Sequence, residues 1–422
     1  MSWLFPPWDG NLEHIDSMIV SSTRIERSPL DSSRIRHSVT VTYDDGKVQP
    51  EEWWFECAES TANNLTVTGN PWLAALLPLA AHLGGPLRIA DAVDPLLLDG
   101  AFEALRLWNA WDRASHIVPI EVETYSRETH PSGKRIGSLF SGGVDSFFAL
   151  LDNDNRPGIR PPVDELITVW GLDVPLERPD QIAIVQAKLD RIANQLGKSR
   201  VEVWTNVRST RLAMLDWGRY SHGCALFAAG HFLEDRYWRL LVPSSYSIRH
   251  MNPWGSHIVV DPLFSSSRMR LKYASGHFAR MEKVGFIKDF PIALENVRSC
   301  WRHGQGTNCS KCEKCLRTML AFAGHGALDK CTAFDARQFS LEDLRNLRTN
   351  DEHNILDFDV ILEGMPQDAD PELRSALETC IARNRSHYTR LRKFERLEMT
   401  PWVGWLFGHY KRTVVAPKKR TG

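Results

Sequence analysis

The chain lacks any run of the roughly 18 to 20 uninterrupted apolar residues that a membrane-spanning helix needs, so no transmembrane segment is expected among its 422 residues. Its opening, MSWLFPPWDGNLEH, lacks the basic start and long apolar core of a secretory signal, which makes the cytoplasm the expected location. Cysteine is scarce: eight residues are too few for a disulfide scaffold in a chain of this size. An excess of charge of one sign is missing as well, because 51 Lys and Arg face 52 Asp and Glu. No internal repeat and no long low-complexity tract is present, which excludes solenoids and disordered spacers.

What is present points to a globular protein. Hydrophobic residues make up 43% of the chain, enough for a large core and for two or three domains. Residues 1–130 mix short alternating strands (SMIVSSTRI, HSVTVTYDD, EEWWFECAE) with the helical patterns PWLAALLPLAAHL and PLLLDGAFEALRLWNAW, and end on the strand IVPIEVET. This reads as an accessory α+β domain. Residues 131–325 alternate strand and helix: RIGSLF, DSFFALLD, ELITVWGLDV, DQIAIVQAKLDRIANQLG, RVEVWTNV, SHGCALFAAGHFLED, YWRLLVPSSY. Apolar strands separated by helices of that length predict a doubly wound, mostly parallel α/β sheet. Residues 326–422 read as a helical extension (SLEDLRNLR, DPELRSALETCIARNR) with an aromatic and basic end. From Arg383 onward eleven Lys or Arg face two Glu, so the rest of the chain is acidic.

Between the strand Ile136–Phe140 and the helix opening at Phe147 stands SGGVDS, Ser141 to Ser146. A glycine turn between strand and helix brings backbone N–H groups and a helix N-terminus onto one anion. Ser141 and Ser146 add hydroxyls around Gly142, Gly143 and Val144. Asp145 beside a phosphate makes sense mainly with Mg²⁺ between them. The competing reading is an ordinary capped glycine turn. The run lacks the GK[ST] ending of a Walker loop.

The second constellation is SCWRHGQGTNCSKCEKC, which spaces Cys300, Cys309, Cys312 and Cys315 as C-x8-C-x2-C-x2-C. Four thiolates complete a closed tetrahedral zinc site, and the short spacings let one turn supply several of them. Redox or sulfur-relay chemistry is the competing reading.

SGGVDS resembles the signature of the PP-loop ATP pyrophosphatases, a fold of the HUP kind, which split ATP into AMP and pyrophosphate while adenylating a substrate oxygen. With the downstream cysteines, residues 131–325 resemble the 7-cyano-7-deazaguanine synthase (QueC) family. The resemblance implies ATP, Mg²⁺ and Zn²⁺ as cofactors and a deazaguanine-type small molecule as substrate. Family members adenylate the carboxylate of 7-carboxy-7-deazaguanine, form the amide with ammonia and dehydrate it to the nitrile. The chain departs from the family in its two flanks, and RYSHGCALFAAG stands where the family's arginine-asparagine pair would be. Longer relatives are associated with anti-phage operons of the Qat and type IV CBASS kinds, in which a partner protein's N-terminal amine is the acceptor, and this chain looks more like those.

The resemblance implies that Ser141, Gly142, Gly143, Val144 and Ser146 hold pyrophosphate and that Asp145 reaches Mg²⁺ as a catalytic residue. Gly171 and Asp173 would border the adenosine, a surface-loop aspartate being the alternative for Asp173, and His222 would face the α-phosphate as a second catalytic residue, a capping or buried structural histidine being the alternative. Asp261, whose carboxylate can accept from both donors of a guanine-like edge, would read the base; a turn aspartate before proline is the alternative. Arg268, Arg270, Lys314 and Arg317 are candidates for neutralising the acyl phosphate. Three other readings stay open: a plain nitrile synthase, a tRNA-modifying sulfur or nitrogen transferase with the basic tail as a less favoured nucleic-acid contact, and a nonenzymatic nucleotide sensor docking through WVGWLFGHYKR. A homodimer is left open.

Overall fold

The computed structural model describes residues 17–44, 48–62, 65–126, 134–155, 160–300, 308–349 and 352–398, the last without side chains at 352–353 and from 391 onward. The opening segment, the WVGWLFGHYKR segment and the basic residues after it lie outside the described residues. The chain divides into two units, Met1–Asn308 and Cys309–Gly422.

The first unit is α/β and is built on one mixed sheet. Its strands are β1 (Met18–Val20), β2 (Arg24–Arg27), β3 (Arg34–Tyr43), β4 (Glu51–Ala58), β5 (Leu87–Ile89), β6 (Ile120–Glu121), β7 (Arg135–Leu139), β8 (Glu165–Trp170), β9 (Ser199–Thr205), β10 (Tyr237–Pro243) and β11 (Arg270–Ala274). They lie in the order β11-β10-β7-β8-β9-β4-β3-β1-β5-β6, with β2 paired to β3 off that path. From β11 to β9 every pairing is parallel. Numbered within this block, the order is 3-2-1-4-5. β7 and β8 are buried almost throughout, as parallel strands covered on both faces must be.

The two regions expected on either side of residue 130 share this sheet. β4 runs antiparallel to β9, pairing Phe55 with Thr205 and Glu56 with Trp204. Side chains fasten the join: the Thr205 hydroxyl donates to the Trp54 carbonyl at 2.7 Å, and Asn206 accepts from the Trp54 amide at 3.0 Å and donates to the Glu52 carbonyl at 2.8 Å. Trp53, Phe55 and Trp72 then belong to the same core as Phe227, Phe232 and Phe264. The helix Asn70–Leu83 is apolar on nearly every side and buried on nearly every side, because it lies between the sheet's elements and the equally apolar helix His222–Phe232.

Two strands differ from the sequence pattern. IVPIEVET forms only the two-residue β6, since Pro119 precedes it without a ladder donor. β11 is a strand that the pattern does not announce, because Arg270 and Lys272 give it a charged face.

The second unit is helical: Glu313–Gly324, Leu341–Asn346, Glu352–Glu363 and the long Pro371–Glu398. On the last of these, Leu373, Ala376, Leu377, Cys380 and Ile381 are buried at the i, i+3, i+4, i+7, i+8 spacing of a core-facing stripe. Asn384 extends the stripe with a polar residue that is satisfied in full, accepting from Thr349 N at 3.0 Å and donating to the Leu347 and Cys380 carbonyls at 2.9 Å.

Candidate functional site

The loop is placed by the sheet. β7 ends as Phe140 N donates to the Ile167 carbonyl at 2.8 Å, and the chain leaves the sheet through Gly142 at φ +73°, a conformation that side-chain-bearing residues resist. Gly143 is extended and starts the helix Val144–Asp154, whose first amides have no intrahelical acceptor. Val144, Phe147, Phe148, Leu150 and Leu151 are buried and hold the helix to the sheet. Both hydroxyls serve the turn: Ser141 Oγ accepts from Gly143 N at 3.4 Å, and Ser146 Oγ donates to the Gly143 carbonyl at 3.0 Å. After β7 the chain builds β8 and β9 to one side and then crosses back to β10 on the other. Such a reversal opens a crevice beyond the carboxyl ends of the two strands, where doubly wound sheets bind ligands.

Cations converge on this loop from far along the chain. Lys283, in the helix Arg280–Ile287, places Nζ 2.8 Å from Asp145 Oδ1, 2.5 Å from the Ser244 carbonyl and 3.1 Å from Ser244 Oγ. Ser244 directly follows β10. The Arg280 guanidinium lies 3.3 Å from Asp145 Oδ2. Arg298 donates its backbone N–H to the Gly142 carbonyl at 2.7 Å and Nε to the Ser141 carbonyl at 3.4 Å. Lys283 is 1% exposed; burial lowers its pKa, and the Asp145 charge opposes that shift. Asp145, read as a Mg²⁺ ligand, is thus held between two cations, and a metal would have to share it. Sequence reasoning passes over Lys283, Arg280 and Arg298. One signal is available: Lys283 stands on the stripe shared with Val284 and Ile287, where a lysine needs a buried partner.

Beyond β8, Gly171 has φ +91°, and a Cβ there would lie 1.9 Å from the Thr205 carbonyl oxygen. Asp173 is exposed in the turn that follows. His222 opens its helix after a π-helical turn, Trp217–Ser221, a rare form frequent at functional sites. Its Nδ1 lies 3.2 Å from the Trp217 carbonyl. Burial lowers the His222 pKa, while hydrogen bonds to backbone carbonyls and the charges of Asp173 and Asp216 pull it up, so Asp173 and His222 share one electrostatic neighbourhood. Trp217 and Trp254 flank the imidazole at centroid distances of 6.4 and 5.9 Å.

The remaining candidates are engaged with other groups or lie away from the loop. Asp261 is fully buried, with Ser256 Oγ donating to one oxygen and His257 N to the other, both at 2.7 Å; a base edge would have to displace them. Arg268 pairs with Asp235 at 3.1 Å and lies over Tyr125. Arg270 is the first residue of β11, at the amino end of the parallel strands and away from the loop. In the second unit Arg317 pairs with Asp357 and Asn354, and Lys314 is half-buried on the same helix.

The four cysteines do come together. The Sγ atoms of Cys300, Cys309, Cys312 and Cys315 all lie within 4.8 Å of one another, and none of the four is in a disulfide. Cys309 and Cys315 are 3.9 Å apart, close to the sulfur–sulfur edge of about 3.8 Å that tetrahedral bonds of about 2.3 Å to zinc would give. Cys312 N donates to Cys309 Sγ at 3.2 Å, and Ser310 turns the chain at φ +57°. Cys312 caps the helix Glu313–Gly324 and Cys315 lies in its first turn, where the helix dipole favours thiolate. Asn308, unread in the sequence, accepts from Ser299 N at 2.9 Å and donates to the Val297 carbonyl at 2.8 Å, steadying the segment that carries Cys300. The cluster can hold a metal ion such as zinc.

No family model, curated protein or solved structure matches the chain.

Proposed function

We propose that the chain is an AMP-forming, ATP-dependent carbon–nitrogen ligase that adenylates a carboxylate, of the 7-carboxy-7-deazaguanine kind, and passes the acyl group to an amine. The observation that carries this reading is the position of SGGVDS at the switch point of a 3-2-1-4-5 sheet, with Lys283, Arg280 and Arg298 gathered around it. Loop amides and three cations supply positive charge where a pyrophosphate leaving group would develop its own. Lys283 is fixed by Ser244 and Asp145 before any ligand arrives, so little reorganisation is needed. A carboxylate oxygen attacks the α-phosphorus, the bond to the bridging oxygen breaks, and pyrophosphate leaves. The amine then attacks the acyl carbon of the mixed anhydride, loses its proton, and AMP departs. Magnesium, where bound, would neutralise phosphate charge, with Asp145 as the carboxylate the loop itself supplies. His222, Trp217 and Trp254 offer flat surfaces for a heterocycle. Zinc in the four-cysteine cluster is proposed as structural, since four thiolates leave no open position.

The acceptor is proposed to be the N-terminal amine of a partner protein encoded beside this chain, as in the longer relatives it resembles. Incubation with ATP and 7-carboxy-7-deazaguanine is expected to yield AMP and pyrophosphate, and a partner whose mass rises by one deazaguanine amide. ADP as the main product would end the ligase reading. An unmodified partner beside abundant free nitrile would return the chain to a plain synthase.

A further inference from the structure

A second cluster of cations lies at the opposite, amino-terminal end of the parallel strands. Arg239 of β10 and Arg270 of β11 are register partners, and Lys272 follows on the same face of β11. Arg160, at the end of the segment leading into β8, is close enough to act electrostatically on both Arg239 and Lys272. Its guanidinium is taken by Asp152 at 3.0 Å, and Asp152 is also the carboxylate that acts on Lys272. Arg239, Arg270 and Lys272 make no hydrogen bond or ion pair to a carboxylate among the described residues. Arg239 and Lys272 are half-buried and Arg270 is exposed. Burial and mutual repulsion lower the pKa values of Arg239 and Lys272. A fold that partly buries like charges side by side, with one carboxylate among four cations, keeps a positive surface at a cost in stability.

The chemistry beside the cations selects the ligand. Arg239 lies over the half-exposed Trp238 at 4.2 Å, so an indole adjoins the basic face. Guanidinium forks match phosphate oxygens two at a time, and basic grooves with an aromatic platform are how single strands are held without base readout. An acidic peptide would use the cations and leave the indole idle. We propose that this end of β10 and β11 binds the phosphate backbone of single-stranded nucleic acid through Arg239, Arg270 and Lys272. The site is independent of the reading given to the SGGVDS loop.

The test uses the full chain and a fluorescein-labelled single-stranded RNA of about 16 nucleotides, followed by anisotropy from about 50 to about 200 mM salt. The wild-type protein is expected to bind with an affinity that falls with salt. Arg239→Gln/Arg270→Gln/Lys272→Gln is expected to flatten the slope of log affinity against log salt by about 2, at about 0.7 for each phosphate that is no longer neutralised. Arg270→Gln alone, at an exposed position, should flatten it by about 0.7 and covers the case in which the triple variant misfolds. Absence of RNA binding by the wild-type chain, or slopes unchanged in both variants, would overturn the proposal. So would a labelled polyglutamate peptide that binds through these three residues while RNA does not.

Discussion

Asp145 and Lys283 make one ion pair across 138 residues of sequence, with the lysine buried and the carboxylate part-exposed, and the pair constrains any variant of the loop. Replacing Asp145 by Asn removes the charge opposite a lysine that is 1% exposed; stranding one partner of a fully buried pair costs about 3–5 kcal/mol, and the loss here is smaller because Asp145 is part-exposed and Ser244 still accepts from Lys283. Asp145→Asn is therefore expected to slow AMP formation greatly and also to lower the unfolding midpoint. Adding Lys283→Met should restore much of the stability and none of the turnover, which calorimetry beside an AMP assay will separate. Asp261 supplies a second test. Burial pushes its pKa from 3.8 up to about 7, against the pull of the Ser256 and His257 hydrogen bonds. Between those values the unfolded chain gives up the proton and the folded chain keeps it, so stability falls as pH rises through the window, by up to about 4 kcal/mol in all. Asn mimics the protonated acid, accepting from His257 N and donating to Ser256. Asp261→Asn should be the more stable protein at pH 7 and above, with a flatter melting profile between pH 5 and 7; a profile parallel to that of the wild-type chain would refute the shift.

At the scale of elements, what is legible in the sequence is local. The strand, turn and helix around SGGVDS lie within twenty residues, and three of the four cysteines lie within seven, so spacing alone places them. The cations that face the loop come from Arg280, Lys283 and Arg298, brought in by β10, β11 and the segments after them, and no periodicity links them to residue 145. The meeting of β4 with β9 is hidden for the same reason: alternation shows that a strand exists, not which strand it pairs with. The metal cluster gives the prediction at this scale. A helix start, Glu313, and a turn with Ser310 at positive φ hold three thiols together that would otherwise repel as thiolates. About one zinc per chain is expected on elemental analysis, and Cys309→Ser should lose both the metal and soluble yield, because ligation and local folding are linked. A well-folded preparation without metal would count against a zinc site.

For the molecule as a whole, the shared sheet means that the N-terminal region is no detachable accessory. A chain beginning at residue 134 would leave β9 with a bare edge and would expose Phe227 and Phe232, which pack in one core with Phe55 and Trp72. Such a fragment is expected to be insoluble or to bind hydrophobic dye; a soluble fragment that unfolds cooperatively would contradict this. The test of a protein acceptor consequently belongs to point variants on the surface of the intact chain, not to truncation. One hydrogen bond reaches further than its size suggests. The Arg298 amide that holds the Gly142 carbonyl stands two residues before Cys300, so a short stretch of backbone has one end on the loop and the other on a thiol ligand. Whatever fixes one end narrows the freedom of the other, and by thermodynamic reciprocity the effect runs both ways. On the proposed ligase reading, ATP should tighten metal binding measured at equilibrium against a competing chelator, and stripped protein should bind ATP more weakly by the same factor, about fivefold or more for a coupling of ordinary size. On that same proposed reading, the cysteine cluster would act as a tension setting on the SGGVDS loop, and oxidation of a single thiol would slow AMP formation without touching a reacting atom.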